Sequence, residues 1–258
     1  MDLRLSGKTA IVTGASRGIG LAVTRELIGE GVRVVAAARE ASAELRELGA
    51  ITVITDLTAP DGPAKVAQAA ATAFGGLDIL VNNVGAVRPR TGGFASVTAE
   101  DWAATVAVNF LAAVHMSRLA LPLLSARGGG SIVTISSVNA ALPDPLVIDY
   151  SAAKAALSNF CKSLSKEVGP QGIRVNTVSP GPVATDLWLG GGGVAETLAG
   201  AAGSTPAAVA DAAVAGTPTG RFTQPDEVAD LVLFLASPRA GNITGADIAI
   251  DGGMNPTL

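Results

Sequence analysis

The sequence holds one cysteine, Cys161, and one histidine, His115, in 258 residues. A lone thiol excludes an internal disulfide and leaves no Cys-x-x-Cys or other zinc spacing, so no metal is expected. Cys161 falls within a helical pattern and reads as an inert packed thiol. His115 lies between Val114 and Met116 with no serine or cysteine nucleophile motif, which leaves triad chemistry unsupported. Aromatic residues are only 3% of the chain, so its core must be made of Ala, Val, Leu and Ile. A basic excess is also missing. The formal net charge is −4 and the pI about 5.0, which argues against nucleic acid as a partner. Met1-Asp2-Leu3-Arg4 leads straight into a first apolar run too short to cross a bilayer. The expectation is no signal peptide, no membrane partner and a cytoplasmic location. What the chain does have is apolar content, 48% with mean hydropathy +0.44, enough for one well-buried domain over residues 1–258.

Strand-like runs at Thr9–Val12, Val32–Ala38, Ile51–Thr55, Ile79–Asn82, Ser131–Ser136, Arg174–Val178 and Asp247–Ile250 alternate with helical patterns. The helices are expected at about Ile19–Glu30, Ala64–Phe74, Ala99–Ser125, Tyr150–Val168 and Pro225–Ala236. Such alternation predicts an α/β fold: a single-domain, Rossmann-type, doubly wound parallel sheet of about seven strands with helices on both faces. Its site should lie at the carboxyl ends of the strands. From Gly190–Gly193 to Gly220 the chain is rich in Gly, Ala, Ser, Thr and Pro, a composition that predicts mobility. Its position after the sixth strand suggests a substrate lid at about 186–220, with Leu187, Trp188 and Leu189 as an apolar lip.

Two motifs carry chemistry. The first, Thr13-Gly14-Ala15-Ser16-Arg17-Gly18-Ile19-Gly20, joins a buried strand to a helix. Free backbone N–H groups and the helix dipole make such a turn a phosphate cradle, and glycines allow close approach of a pyrophosphate. The second is Tyr150-Ser151-Ala152-Ala153-Lys154, whose helical spacing of four puts phenol and ammonium on one face. A nearby cation favours phenolate and brings a phenol toward the range useful for proton transfer.

Together the motifs resemble the short-chain dehydrogenase/reductase family, nearly end to end. Further landmarks follow in order: Asp56-Leu57, Asn82-Asn83-Val84-Gly85, Asn109, Ser136-Ser137, Pro180-Gly181-Pro182-Val183-Ala184-Thr185 and Asp251-Gly252-Gly253. Val84 departs from the family's usual alanine. The resemblance implies hydride transfer between a nicotinamide and a carbonyl or alcohol carbon. Tyr150 would be the proton donor, and Ser137 would bond the same substrate oxygen. Lys154 would hold the nicotinamide ribose and depress the Tyr150 pKa. Asn109 would fix a water behind Lys154, or bend the helix by a backbone contact, or both. Asp56 would accept from the adenine, with Leu57 beneath it. Asn83 and Gly85 would line the adenosine ribose side, and Val183 and Thr185 would meet the carboxamide after Pro180 and Gly181. Substrate contacts are expected from Ser137, Asn139, Tyr150, Leu187 and Trp188. Asp144 and Asp149 read chiefly as solvated loop carboxylates, and Trp102 as packing at the foot of the long helix.

The end of the second strand bears on cofactor choice. A carboxylate there binds the ribose 2′-OH of NAD and repels a 2′-phosphate. Here Ala38 holds that position, followed by Arg39, and Arg17 could approach the same group. Both favour NADP(H); Glu40, one residue on, keeps NAD(H) open. The leading expectation is an NADPH-dependent carbonyl reductase similar to 3-oxoacyl-thioester reductases and polyketide ketoreductases. The alternatives are an NAD-dependent alcohol or sugar dehydrogenase working in the oxidative direction, and a non-catalytic dinucleotide-binding regulator. By family inference the partners are a small-molecule substrate and identical subunits in a homotetramer.

Overall fold

The structure, a computed structural model, describes residues 1–256, so the last two residues of the expected 1–258 domain lie outside the described residues. Among the described residues, strands β1 (Thr9–Thr13), β2 (Arg33–Ala38), β3 (Ile51–Ile54), β4 (Ile79–Asn82), β5 (Gly130–Ile135), β6 (Ile173–Pro180) and β7 (Asp247–Ile250) form one sheet. Its order is β3-β2-β1-β4-β5-β6-β7, and every pairing is parallel. The order reverses between β1 and β4, which opens a crevice at their carboxyl ends.

Alternation along the strands divides the core into two layers. Ala10 and Val12, Val34 and Ala36, Ile79 and Val81, and Val133 and Ile135 face one side. That side is covered by α1 (Gly18–Gly29) and α10 (Pro225–Ala236) through Leu21, Leu27, Val228 and Val232. Ile11, Val35, Leu80 and Ile132 face the other side. There they meet α3 (Gly62–Phe74), α5 (Ala112–Ser125) and α6 (Ile148–Val168). Both layers are aliphatic, as the scarcity of aromatics requires. Cys161 is buried in the second layer, and burial pushes its thiol up to about 11.

The helical stretch Ala99–Ser125 is not uniform. It consists of α4 (Ala99–Val106), a wide π turn at Ala107–Leu111, and α5. By length and composition it is apolar enough to cross a membrane. In this fold it buries Ala112, Met116, Ala120 and Leu124 against the sheet, while Val108, Phe110, Val114 and Leu121 stay half-buried and Leu111 is exposed.

The segment expected to be mobile is instead mostly helical: α7 (Asp186–Leu189), α8 (Val194–Ala202) and α9 (Pro206–Ala215). Alanine, the strongest helix former, fills the stretches between glycines, and the glycines fall at the breaks. Gly192 and Gly203 take positive φ values of 72° and 62° between helices. Thr205 caps α9 by accepting from Ala208 N at 3.2 Å, and Pro206 occupies its first turn. A short helix missed from sequence, α2 (Ala43–Glu47), starts at a Ser42 cap that accepts from Leu45 N.

Candidate functional site

After β1 the chain turns at Gly14 (φ 67°) and re-enters α1 through Gly18 (φ 55°), a left-handed backbone region that favours glycine. A Cβ on Gly20 would collide with the Gly14 carbonyl oxygen, so only glycine lets turn and helix close this tightly. Asn83 holds the turn from β4. Its Nδ2 donates to the Thr13 and Gly14 carbonyls at 2.9 and 3.1 Å, while its own N–H reaches Thr13 Oγ1 at 2.8 Å. Ala15 N donates to Ala37 O, and Ile19 packs on the first core layer. Ser16 and Arg17 complete the turn. Arg17 begins α1 without any side-chain cap, so no side chain competes for the first-turn N–H groups. This backbone cradle fits the pyrophosphate of a dinucleotide. A Cβ on Gly18 would lie 3.1 Å from the Thr185 methyl, which places the segment leaving β6 against the turn. Pro180 ends β6, Gly181 abuts Asp251, and Val183 is buried and bridged to Thr223.

At the far end of the crevice β2 finishes on buried Ala38, with Arg39, Glu40 and Arg17 exposed. Ala38 carries no carboxylate, and the Glu40 that follows is exposed. Asp56 accepts from Thr58 N and Oγ1, both at 2.8 Å, and these bonds, aided by the Arg39 charge, hold its carboxyl below the usual range. Leu57 is buried beside it.

Ser137 follows β5, and its Oγ accepts from Asn139 N at 3.2 Å and donates to Asn139 Oδ1 at 3.3 Å. The same hydroxyl bonds the Tyr150 phenol and draws its pKa down. From α6, Lys154 lies with Nζ 5.7 Å from the Tyr150 ring centre and donates to Ile135 O at 2.8 Å. Asn109, in the π turn, clasps Ala86: Oδ1 accepts from Ala86 N at 3.0 Å and Nδ2 donates to Ala86 O at 2.8 Å. Nδ2 also reaches Thr105 O at 3.1 Å, the helix-bending contact. A Cβ on Gly85 would sit 3.1 Å from Asn109 Oδ1 and 3.5 Å from Lys154 Nζ. Four strand ends thus bring Gly14–Gly20, Asn83–Gly85, Asn109, Ser137, Tyr150, Lys154 and Thr185 into one crevice.

The electrostatics correct one expectation. Burial raises the Tyr150 phenol above its ordinary value, and Ser137, not Lys154, is the group that opposes this. Burial also pulls Lys154 down to about 8, so it stays mostly charged at pH 7 but loses its charge at mildly alkaline pH.

Beyond Ser137, Asn139 Nδ2 donates to Leu142 O at 3.2 Å. A groove of about 360 Å³ runs beside it, lined by Asn139, Asp144, Ile148 and Ser151. Leu142, Leu146, Leu187 and Leu189 are exposed around these segments. Trp188 packs edge-to-face on Phe222 at 5.7 Å, which anchors α7. A wider depression of about 770 Å³ lies on the outer face of α3 and includes none of the residues above. Asp144 caps its own turn by accepting from Leu146 N at 2.8 Å.

Asp149 is the second correction. It is only 1% exposed and lies in the first turn of α6, where Arg90 meets it through Nε and Nη2. Asp101 and Thr105 of α4 join the cluster. The capping box of Thr98 and Asp101 is a local spacing; the 59-residue separation between Arg90 and Asp149 left their pairing invisible.

Comparison with known proteins agrees with this architecture. Residues 14–255 match the family model described as enoyl-(acyl carrier protein) reductase. A 3-oxoacyl-[acyl-carrier-protein] reductase of Vibrio cholerae is 33% identical over 98% of this chain and 99% of its own. D-threitol dehydrogenase of Mycolicibacterium smegmatis is 36% identical over 98% and 94% respectively. Among solved structures, L-sorbose reductase of Gluconobacter frateurii, complexed with NADPH and L-sorbose, superimposes with a TM-score of 0.92. That match covers 100% of both chains at 34% identity. Fold and relatives together define an NAD(P)-dependent oxidoreductase acting on CH–OH and C=O groups. The chain belongs to the short-chain dehydrogenase/reductase family.

Proposed function

We propose that this protein is an NADPH-dependent carbonyl reductase that converts a ketone or 3-oxoacyl-type carbonyl to a secondary alcohol. The observation that carries this reading is the meeting of Ser137, Tyr150, Lys154 and Asn109 beside a glycine cradle. The bound nicotinamide supplies the hydride. Tyr150 delivers its phenolic proton to the oxygen that becomes the alcohol. Ser137 bonds that oxygen and shares its developing charge. Lys154 holds the nicotinamide ribose, and Asn109 keeps the 85–86 backbone in place behind it. Asn83, Gly85, Asp56 and Leu57 line the adenosine side, and Pro180, Gly181, Val183 and Thr185 the nicotinamide side.

NADP(H) is favoured because Ala38 presents no carboxylate to a 2′-phosphate, while exposed Arg39 and Arg17 can meet it. On this reading Arg39→Asp lowers kcat/KM for NADPH and raises it for NADH. The helices α7–α9 act as the lid, with Leu187 and Trp188 against substrate alongside Asn139. The half-buried apolar side chains of α4–α5, with Leu111 exposed among them, support assembly into a homotetramer. A second reading, an NAD-linked alcohol or sugar dehydrogenase, draws on the relative named D-threitol dehydrogenase. Turnover of ketones, β-ketoesters and sugars with each cofactor separates the two. Tyr150→Phe is expected to cut reduction by about 10²- to 10⁴-fold while leaving NADPH binding nearly intact. Retained reduction in that variant overturns the assignment of Tyr150.

A further inference from the structure

Asp149 immediately precedes Tyr150 on α6, and its carboxylate is almost wholly withdrawn from water at 1% exposure. Arg90, 9% exposed, grips it with two nitrogens: Nε at 3.3 and 3.2 Å from the two oxygens, and Nη2 at 2.5 Å from Oδ2. Thr105 Oγ1 donates to Asp149 Oδ2 at 2.7 Å, and Arg90 Nη1 lies 3.0 Å from Asp101 Oδ1. The Arg90 backbone N–H donates to Leu146 O at 2.7 Å, on the turn that enters α6. Thr105 also lends its carbonyl to Asn109, which clasps Ala86. The 86–90 segment is therefore fixed at one end by Asn109 and at the other by Asp149. The first turn of α6 is tied to α4 through the same atoms.

A buried ion pair contributes little net stability compared with apolar side chains of similar volume, whereas an unmatched partner is costly. Its evident consequence here is geometric and electrostatic, at the residue next to the phenol. We propose that Arg90 and Asp149 are positioning residues for Tyr150, holding the first turn of α6 in place and cancelling the charge of the buried carboxylate one residue before it. This rests on the reading of Tyr150 as proton donor. Among the described residues, the charged groups on the elements packed at the first turn of α6 are Lys154 and Asp149 on α6 itself, Arg90 from the loop after β4, and Asp101 with Glu100 on α4. The turn at Val138–Ala140 brings none, and Asp144 faces the Leu146 backbone. On β6 the only charge, Arg174, is held by carbonyls at the end of α10.

Tyr150 is the only tyrosine in the chain, so ultraviolet titration of phenolate reads this one group. In the full-length protein, Arg90→Met leaves a bare carboxylate and should move the titration to higher pH. Asp149→Asn removes a negative charge, leaves Arg90 paired with Asp101 alone, and should move it to lower pH. Combining the two should bring it back toward the parent. Each single variant should lose kcat by roughly 10²-fold, the scale of a displacement of about 1 Å, with KM for NADPH little changed. Damage to folding alone predicts no opposite signs. Shifts of equal sign in the two single variants, or no shift in either, overturn the proposal. Should Arg90→Met not fold, Arg90→Lys serves, keeping charge without the two-pronged grip. It should lose kcat with the titration unmoved, and a parental kcat would refute the positioning role. An active Tyr150→Phe sinks the reading of the donor; an inactive one with unmoved titrations sinks this proposal alone.

Discussion

Lys154 should make the protein less stable than it would be without it. Burial pulls its ammonium from 10.5 to about 8, which at about 1.36 kcal/mol per pH unit is a folding cost of roughly 3 kcal/mol at neutral pH. Replacing it in Lys154→Met removes that cost but leaves Ile135 O without its 2.8 Å donor, a loss of about 1–2 kcal/mol. The net expectation is a gain of about 1–2 kcal/mol, or a few degrees in Tm for a chain of this size. The sign with pH is fixed by linkage. Because the folded value lies below the unfolded one, the unfolded chain binds the extra proton between about pH 8 and 10.5. Parental stability should therefore rise relative to the variant across that window; the gap should close near the middle of it and then reverse, because the neutral amine still donates to Ile135 O. Urea unfolding of both proteins in steps from about pH 7 to 10 measures this directly. Reduction should be lost in the variant throughout, so activity and stability move in opposite directions. A variant less stable than the parent at pH 7, or a gap that does not narrow with pH, refutes the reasoning.

Two further outcomes follow from the same geometry. Gly20→Ala drives a Cβ into the Gly14 carbonyl and should weaken NADPH binding at least about tenfold, read by fluorescence titration, with a Tm drop in the unliganded protein. Burial would raise the Asp149 carboxyl, but its bonds to Arg90 and Thr105 outweigh this and hold it below 3.8. Its contribution to stability is thus present above that value and lost as pH falls through the folded value; acid unfolding of Asp149→Asn should be flatter there than that of the parent.

Most of the architecture was legible because its signals are local. Each strand is a short apolar run, and the boundaries of β4, β7 and α10 fall where pattern and turn residues put them. The crevice residues were found for a related reason: the glycine turn and the Tyr150–Lys154 pair are contiguous motifs. The α8 and α9 helices were obscured because glycine clusters outweighed the alanine between them, though Pro206 after Thr205 is a readable start signal. Arg90 and Asp149 could not be paired from sequence, since the contact depends on how the loop after β4 lies over α6. The pKa of Lys154 was equally hidden; four-residue spacing gives proximity to Tyr150 but not the burial that lowers it.

The five-residue turn at Ala107–Leu111 holds about one residue more than an ordinary helical turn, and each residue adds about 100° of rotation. That surplus lets one rod serve two directions, with Asp101 and Thr105 aimed at Arg90 while Ala112, Met116 and Ala120 are aimed at the sheet. Deleting Val108 would straighten the rod and swing one set away from its target. Whichever set kept its bearing, the other would be left facing the wrong neighbour.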